Sequence, residues 1–435
     1  MENPDLLLLA RAQFGLNIGF HILFPTLTIA LGWVLLFFRI QYARTADAAW
    51  LATYNLWTRI FALTFAMGVV TGITMSFQFG TNWPGYMLKV GNVAGPLLAY
   101  EVLFAFFLES TFLGVMLFGM NRVPSWLHIV SAAMVAIGTT MSAFWILALN
   151  SWMQTPTGHV MDGDVLIAGD WWQVIFNPSL PYRLTHMLIA SGLTAAFVLV
   201  GLSSWRLLRA AADNSARSTL RTGLVLAAVL APAQILVGDQ HGLNTLEHQP
   251  AKVAAIEALW ETQRGAPLVL FALPNETTRR NDFAVEIPKL ASLILRHDSA
   301  AEIQGLAAFA PDTPPVLPVF FAFRVMVGIG MLMLALAWTG AWVTRRGALP
   351  ARWLLWTFAG FTFAGWIATL SGWLVTEIGR QPWLVTGILR TADAVGHVSG
   401  PLIGASLTTY IVTYAGMLIA YMVVLTHLAG KGAQP

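Results

Sequence analysis

"FGLNIGFHILFPTLTIALGWVLLFF", residues 14–38, runs for 25 residues without an Asp, Glu, Lys or Arg. A membrane-crossing helix needs about 20 mostly apolar residues to span roughly 30 Å of hydrocarbon. This stretch meets the requirement, and eight more do so at 55–79, 96–120, 126–150, 183–206, 220–238, 318–344, 353–375 and 402–428, the sixth being the weakest. The expected fold is an all-α integral membrane protein of about nine transmembrane helices. Composition agrees. The chain has 435 residues, 57% hydrophobic and 10% charged, with a mean hydropathy of +0.67, too little polar surface for a water-soluble globule. It has no cysteine, which excludes disulfides, thiolate metal sites and cysteine nucleophiles. The N-terminus, "MENPDLLLLARAQF", carries acids where a signal peptide needs basic residues, so the first apolar run is expected to be retained as a span.

Alternating the direction of the spans sorts the connectors into two sets. One set holds Arg39, Arg44, Arg59, Arg122, Arg206, Arg209, Arg217, Arg221, Arg345, Arg346, Arg352 and Lys431 against Asp47 and Asp213 alone. The positive-inside rule makes that side the cytoplasm. The N-terminus is then outside, together with the one long loop, 239–317. Within this loop "AKVAAIEALWETQRG" (251–265) reads as an amphipathic helix able to lie on the membrane surface. No repeat or low-complexity tract divides the chain, which reads as one transmembrane domain, 1–435, carrying that loop.

Ionisable and metal-binding side chains inside spans are costly and therefore candidates for function. His21 follows Gly15 and Gly19 at a spacing that admits either a flat macrocycle or a neighbouring helix. His186, Met326 and Glu377 come from three other spans and fall, with His21, in the outer half of the membrane. A His and Met pair fills both axial positions of an electron-transferring haem iron, whereas a single protein ligand leaves a position open for oxygen. Arg11, Arg324 and Arg380 lie toward the same leaflet, where they would either pair with propionates or snorkel to the interface. Glu101 and Glu109, in "YEVLFAFFLESTF", stand about 12 Å apart along a regular helix and some 80° apart around it. They read as stations on a proton path or as protonated carboxyls bonded to a neighbouring helix. His128 and Ser142 are weaker candidates for the same path.

Six stretches carry a family resemblance: "ARAQFGLNIGFHILFPTLT" (10–28), "YEVLFAFFLESTFLGVMLFG" (100–119), "SAFWILALNSWMQTPTG" (142–158), "KVAAIEALWETQ" (252–263), "FRVMVGIGMLML" (323–334) and "GRQPW" (379–383). Together they resemble subunit I of cytochrome bd ubiquinol oxidase, from the first span to the ninth. The resemblance implies a terminal respiratory oxidase of the bacterial cytoplasmic membrane that oxidises quinol and reduces O2 to water, with two haem b and one haem d. It implies His186 and Met326 as axial ligands of low-spin haem b. It implies His21 and Glu377 as ligands of the two high-spin haems, His21 on haem d and Glu377 on haem b, although family members differ in that arrangement. Trp373 is expected near the haem faces and Arg380 on a propionate. Glu101 and Glu109 match acids near the oxygen site and on the proton route, and Lys252 and Glu257 match quinol-binding residues of the loop. A second large membrane subunit, small single-span subunits and no nucleic acid are the implied partners. About fifty residues separate "ALWETQRG" from the seventh span, which resembles the short-loop, cyanide-insensitive type, in some of which haem b replaces haem d. The competing class is a proton-coupled secondary transporter or channel, disfavoured because no inverted repeat or broken helix pair is evident.

Overall fold

The computed structural model describes residues 4–396 and 398–430, so Lys431 lies outside the described residues. Helices α1 (Pro4–Thr45) and α2 (Ala48–Thr81) form the first two spans. α3 (Pro84–Tyr100), a π-turn at Glu101–Phe106 and α4 (Phe107–Phe118) make up the third, and α5 (Ser125–Gln154) the fourth. A hairpin of β1 (His159–Asp162) and β2 (Val165–Ala168) and the short α6 (Trp171–Ile175) lead to α7 (Leu180–Arg209) and α8 (Asn214–His248). The next connector contains α9 (Pro250–Ile256), β3 (Gln263–Arg264), β4 (Leu268–Asn275), β5 (Arg280–Ile287), α10 (Leu290–Arg296) and β6 (Glu302–Ile303). The chain then returns as α11 (Val316–Thr344), α12 (Arg352–Gly360) and α13 (Ala364–Ile378). It closes with β7 (Trp383–Val385), β8 (Leu389–Arg390), α14 (Thr391–Ala394) and α15 (Gly400–Gly430). Nine helical stretches among the described residues are long and apolar enough to cross a membrane.

Lipid tails are as apolar as leucine, so helices in a membrane associate through close backbone approach and interhelical hydrogen bonds. Both are present. A side chain at Gly32 of α1 would stand 3.1 Å from the Ala136 Cα of α5, and one at Gly365 of α13 would stand 2.6 Å from the Thr194 Cα of α7. Pro25 interrupts the backbone ladder of α1, and just beyond it the Ser191 hydroxyl of α7 inserts. It donates to the Thr26 carbonyl (2.6 Å) and accepts from the Ala30 N–H (3.1 Å). The Tyr421 hydroxyl ties α15 to Thr64 of α2 at 3.0 Å.

Four sequence expectations change. The weakest expected span, 220–238, is the middle of a 35-residue helix, so the long connector begins after His248 rather than at residue 239. The expected 251–265 helix stops at Ile256, and Ala258 takes a left-handed conformation (φ 49°). Ala254, Ala255, Ile256 and Ala258 pack against Val316, Val319 and Phe320 of α11, so this segment is buried in the protein instead of lying on the membrane surface. The connector also holds short strands, β4 paired with β5 and β3 with β6. The eighth span, expected as one helix, breaks at 361–363, where the Thr362 side chain seats against Gly201 of α7.

Candidate functional site

The ends of α5, α7 and α13 meet the start of α9 around Glu377. Its Oε2 accepts from the Arg380 guanidinium, and its Oε1 accepts from Asn150 Nδ2 (3.0 Å) and Gln154 Nε2 (3.5 Å). Each amide carbonyl in turn takes a cation: Arg183 Nη2 donates to Asn150 Oδ1 (2.5 Å), and Lys252 Nζ donates to Gln154 Oε1 (2.6 Å) and Gln249 Oε1 (2.8 Å). Arg183, Arg380 and Lys252 are buried, whereas the Glu377 side chain keeps 31% of its surface. Three cations thus face one carboxylate. Arg183 Nε and Arg380 Nε and Nη1 are buried without a hydrogen-bond partner among the described residues, a donor set suited to an added anionic group. Burial holds the Lys252 ammonium well below the ordinary lysine value, and Arg183 and Arg380 push the same way while Glu377 opposes them.

This arrangement explains the "GRQPW" run. Gly379 leaves room for two neighbours, since a β-carbon there would meet the Val375 carbonyl oxygen and, at 2.8 Å, the Cγ of the Lys252 stem that crosses it. Arg380 holds Glu377; Gln381 donates to the Glu377 carbonyl (3.4 Å) and accepts from Thr391 (2.8 Å). Trp383 opens β7 and lies under the Arg390 guanidinium, 4.6 Å from the ring centre. A cleft of about 230 Å³ sits above, lined in part by Gln249, Lys252, Phe309, Arg380 and Trp383.

The other three candidate ligands share a feature invisible in sequence: each faces a glycine on a neighbouring helix. His21 lies against Gly72 of α2 (Cε1 3.2 Å from a notional β-carbon), His186 against Gly238 of α8 (3.3 Å) and Met326 against Gly372 of α13 (Sδ 3.0 Å). His21 Nδ1 is tied to the Thr71 hydroxyl at 2.9 Å, which fixes the ring and leaves Nε2 as its other coordinating atom. His186 Nε2 meets the Gln234 amide at 3.0 Å, and the ring packs edge-on against His241, 5.4 Å between centres. His186 and Met326 lie on α7 and α11, both packed against α8 and α13. The donor atoms themselves suit axial ligation: His21 keeps Nε2 free of the Thr71 contact, the buried His186 Nδ1 has no hydrogen-bond partner among the described residues, and the Met326 sulfur meets a glycine.

Glu101 and Glu109 both meet α5. The Ser142 hydroxyl donates to Glu101 Oε1 at 2.8 Å, and Glu109, buried, lies against Gly138 with its Oε1 unpartnered among the described residues. Ser142 and Gly138 are one helical turn apart. The 80° offset expected of a regular helix is removed by the π-turn, whose wider rungs rotate the segment between the acids. His128 is tied instead to Arg39 at 3.2 Å, at the other end of α5.

Lys252 and Glu257 do not share partners. Glu257 is held by Arg324 Nη2 (3.5 Å), and burial raises its carboxyl while Arg324 works against the rise. Arg324 also donates to the Ile256 carbonyl (2.5 Å) and the Val269 carbonyl (2.5 Å), so its hydrogen bonds clasp the connector. Trp373 packs beside Leu147, Ala148 and Leu180, and Arg11 is half-buried on α1. Sequence reading missed Asn150, Gln154, Arg183, Gln234, Gln249 and His241. Asn150 and Gln154 left one signal, two amides four residues apart at the end of an apolar helix.

Nine spans around buried ion and amide clusters define a polytopic helical membrane protein. The family model "Cytochrome bd terminal oxidase subunit I" matches residues 9–433. Cytochrome bd-II ubiquinol oxidase subunit 1 of Escherichia coli (strain K12) is 32% identical, over 98% of this chain and 97% of that one. Cytochrome bd ubiquinol oxidase subunit 1 of Bacillus subtilis (strain 168) is 33% identical, over 89% and 86%. The solved bd oxidase from Geobacillus thermodenitrificans superposes with a TM-score of 0.90 at 30% identity, covering 99% of this chain and 100% of that one. The chain belongs to the cytochrome bd terminal oxidase subunit I family, which sets aside the transporter reading.

Proposed function

We propose that this terminal oxidase subunit oxidises quinol at the connector between α8 and α11 and passes the electrons through low-spin haem b to two high-spin haems where O2 is reduced to water. The haems, when bound, supply the one-electron transfers and the oxygen chemistry. His186 and Met326 would hold the low-spin haem, and His21 and Glu377 the other two, with haem b or haem d at the oxygen site. The observation that carries this reading is the common setting of His21, His186 and Met326, each packed against a glycine of a neighbouring helix. The surplus of buried cations and free donors around Glu377 supports it, because haem propionates are dianionic.

Lys252 places an ammonium on the cleft, where it can hold a quinol oxygen, and Glu257 offers a carboxyl with a raised proton affinity. Glu109 and Glu101 hold protons in the third span against α5, and Ser142 orients Glu101. With the connector outside and the arginine-rich ends of the spans inside, quinol protons leave on one side and oxygen protons arrive from the other. A second large subunit and small single-span subunits would cover part of the apolar flank, including exposed Leu402, Val412, Ile419 and Val423 of α15. The test is a reduced-minus-oxidised spectrum of the purified complex, with quinol-driven oxygen uptake. Bands of one low-spin and two high-spin haems are expected, and a preparation that takes up oxygen with quinol but shows no low-spin haem would overturn the scheme.

A further inference from the structure

Glu377 receives two amides from one face of α5, and the two are built alike. Asn150 and Gln154 are four residues apart, hence neighbours on the helix surface. In each, the carbonyl accepts from a buried cation and the NH2 group donates to the same oxygen, Glu377 Oε1. Chemistry fixes the orientation of both amides, because a reversed amide would turn NH2 toward a cation and a carbonyl toward a carboxylate. The cations differ in origin. Arg183 belongs to α7, a span, whereas Lys252 belongs to the connector and lines the cleft. Gln154 is buried, with 1% of its surface exposed, and carries the hydrogen-bonded path from Lys252 to Glu377; Arg380 lines the same cleft and pairs with the other Glu377 oxygen, a separate contact that a change at Gln154 leaves in place.

We propose that Gln154 is a positioning residue that links occupancy of the cleft at Lys252 to the electrostatic setting of Glu377. A ligand that draws the ammonium toward itself weakens its grip on the Gln154 carbonyl. The amide is then less polarised, and its NH2 group donates less strongly to Glu377. Asn150, anchored to a span, holds the same oxygen at a level that the cleft does not alter. The connector site thereby acts on the carboxylate without touching it. This inference rests on the reading of Lys252 as part of the quinol site and of Glu377 as a haem ligand.

The experiment uses the purified, haem-loaded complex and a 4-hydroxyquinoline N-oxide, a quinone headgroup mimic that carries no electrons. Two quantities are read: the dissociation constant of the mimic for the oxidised enzyme, and the reduction potential of the haem assigned to Glu377 with and without it. In the wild type the mimic shifts that potential. In Gln154→Met, which keeps the volume but loses both hydrogen bonds, Lys252 no longer gives up the Gln154 carbonyl when the mimic binds, so the mimic binds at least as tightly as to the wild type and the shift disappears. Asn150→Leu moves the baseline potential but keeps the shift. Should Gln154→Met fail to assemble, Gln154→Glu keeps an acceptor for Lys252 and sets a negative charge against Glu377, so binding persists while the baseline potential falls. A shift of wild-type size in Gln154→Met, no shift in the wild type, or an unchanged baseline potential in Gln154→Glu overturns the inference. If Lys252→Met binds the mimic as tightly as the wild type, the placement of the quinol site itself is wrong.

Discussion

At the scale of single residues, the small residue that faces a candidate ligand matters as much as the ligand itself. The His186 and Met326 pairing predicts that His186→Ala or Met326→Leu removes the low-spin haem while the other haems remain in part, and a low-temperature reduced spectrum reads this directly. Gly372→Val should do nearly the same without touching a ligand, because even a β-carbon there lies 3.0 Å from the Met326 sulfur. Its low-spin band should broaden or vanish, and an unchanged band would mean that the sulfur faces elsewhere. For the connector, Lys252 must be charged to hold a quinol oxygen and Glu257 must be ionised to accept a proton. Burial lowers the first group's proton affinity and raises the second's, so the alkaline limb of kcat/KM for quinol should lie below the ordinary lysine range and the acid limb above the ordinary carboxylate range. The acid limb belongs to Glu257 and should vanish in Glu257→Gln; the alkaline limb belongs to Lys252 and should move to higher pH in Lys252→Arg. Profiles that superpose with the wild type would detach both residues from the reaction. The candidate ligands were legible in the sequence because an ionisable or coordinating group within an apolar run stands out. Gly72, Gly238 and Gly372 were not, since a glycine in a membrane helix has many uses and only the fold shows which side chain it faces.

Among elements, the third span shows where periodicity misleads. Nothing in "YEVLFAFFLESTF" announces a π-turn, and a regular helix would turn Glu101 and Glu109 to different neighbours. Deleting one residue from the π-turn, for example Val102, leaves seven steps between the acids, which at α-helical winding keep them within about 20° of one another. Inserting an alanine after Val102 instead turns Glu101 by about 100° away from Ser142. Oxygen uptake should therefore survive the deletion but fall in the insertion at least as far as in Glu109→Gln, with the haems still bound, and equal activity in the two would show that the carboxyls need not share one face of α5. The break in the eighth span was equally hidden, because "AGFTFAG" has no proline and its cause lies in another helix, where Gly201 receives Thr362. Helix ends fared worst: the segment after Ile256 keeps an amphipathic pattern, yet packing against α11 stops it.

Over the whole molecule, the sequence reading captured the nine spans found among the described residues, since they follow from hydropathy alone. How the connector is held was illegible, because its clasps join residues far apart in the chain. Arg324 takes the Ile256 and Val269 carbonyls, and Asp312 pairs with Arg390 at 2.7 Å. Arg324→Met should raise amide hydrogen exchange throughout β4 and β5 by more than tenfold while the spans stay protected, as expected from losing hydrogen bonds to a charged group. Uniform protection across the connector would assign its anchoring to the apolar contacts of α9.

The three cations gathered around Glu377 also bear on how the protein is made. A chain leaving the translocon must bring Arg183, Lys252 and Arg380 together beside a single carboxylate, and buried charge of one sign resists such closure. Closure should therefore wait for negative charge to arrive, which places prosthetic-group insertion ahead of the final docking of α9 in biogenesis. In haem-starved cells the newly made chain should remain open at this corner and be cleared by membrane proteases, with a half-life in pulse–chase several-fold shorter than in replete cells. A variant with Arg183→Gln, carrying less surplus charge, should outlast the wild type under starvation even though it works less well once haem returns.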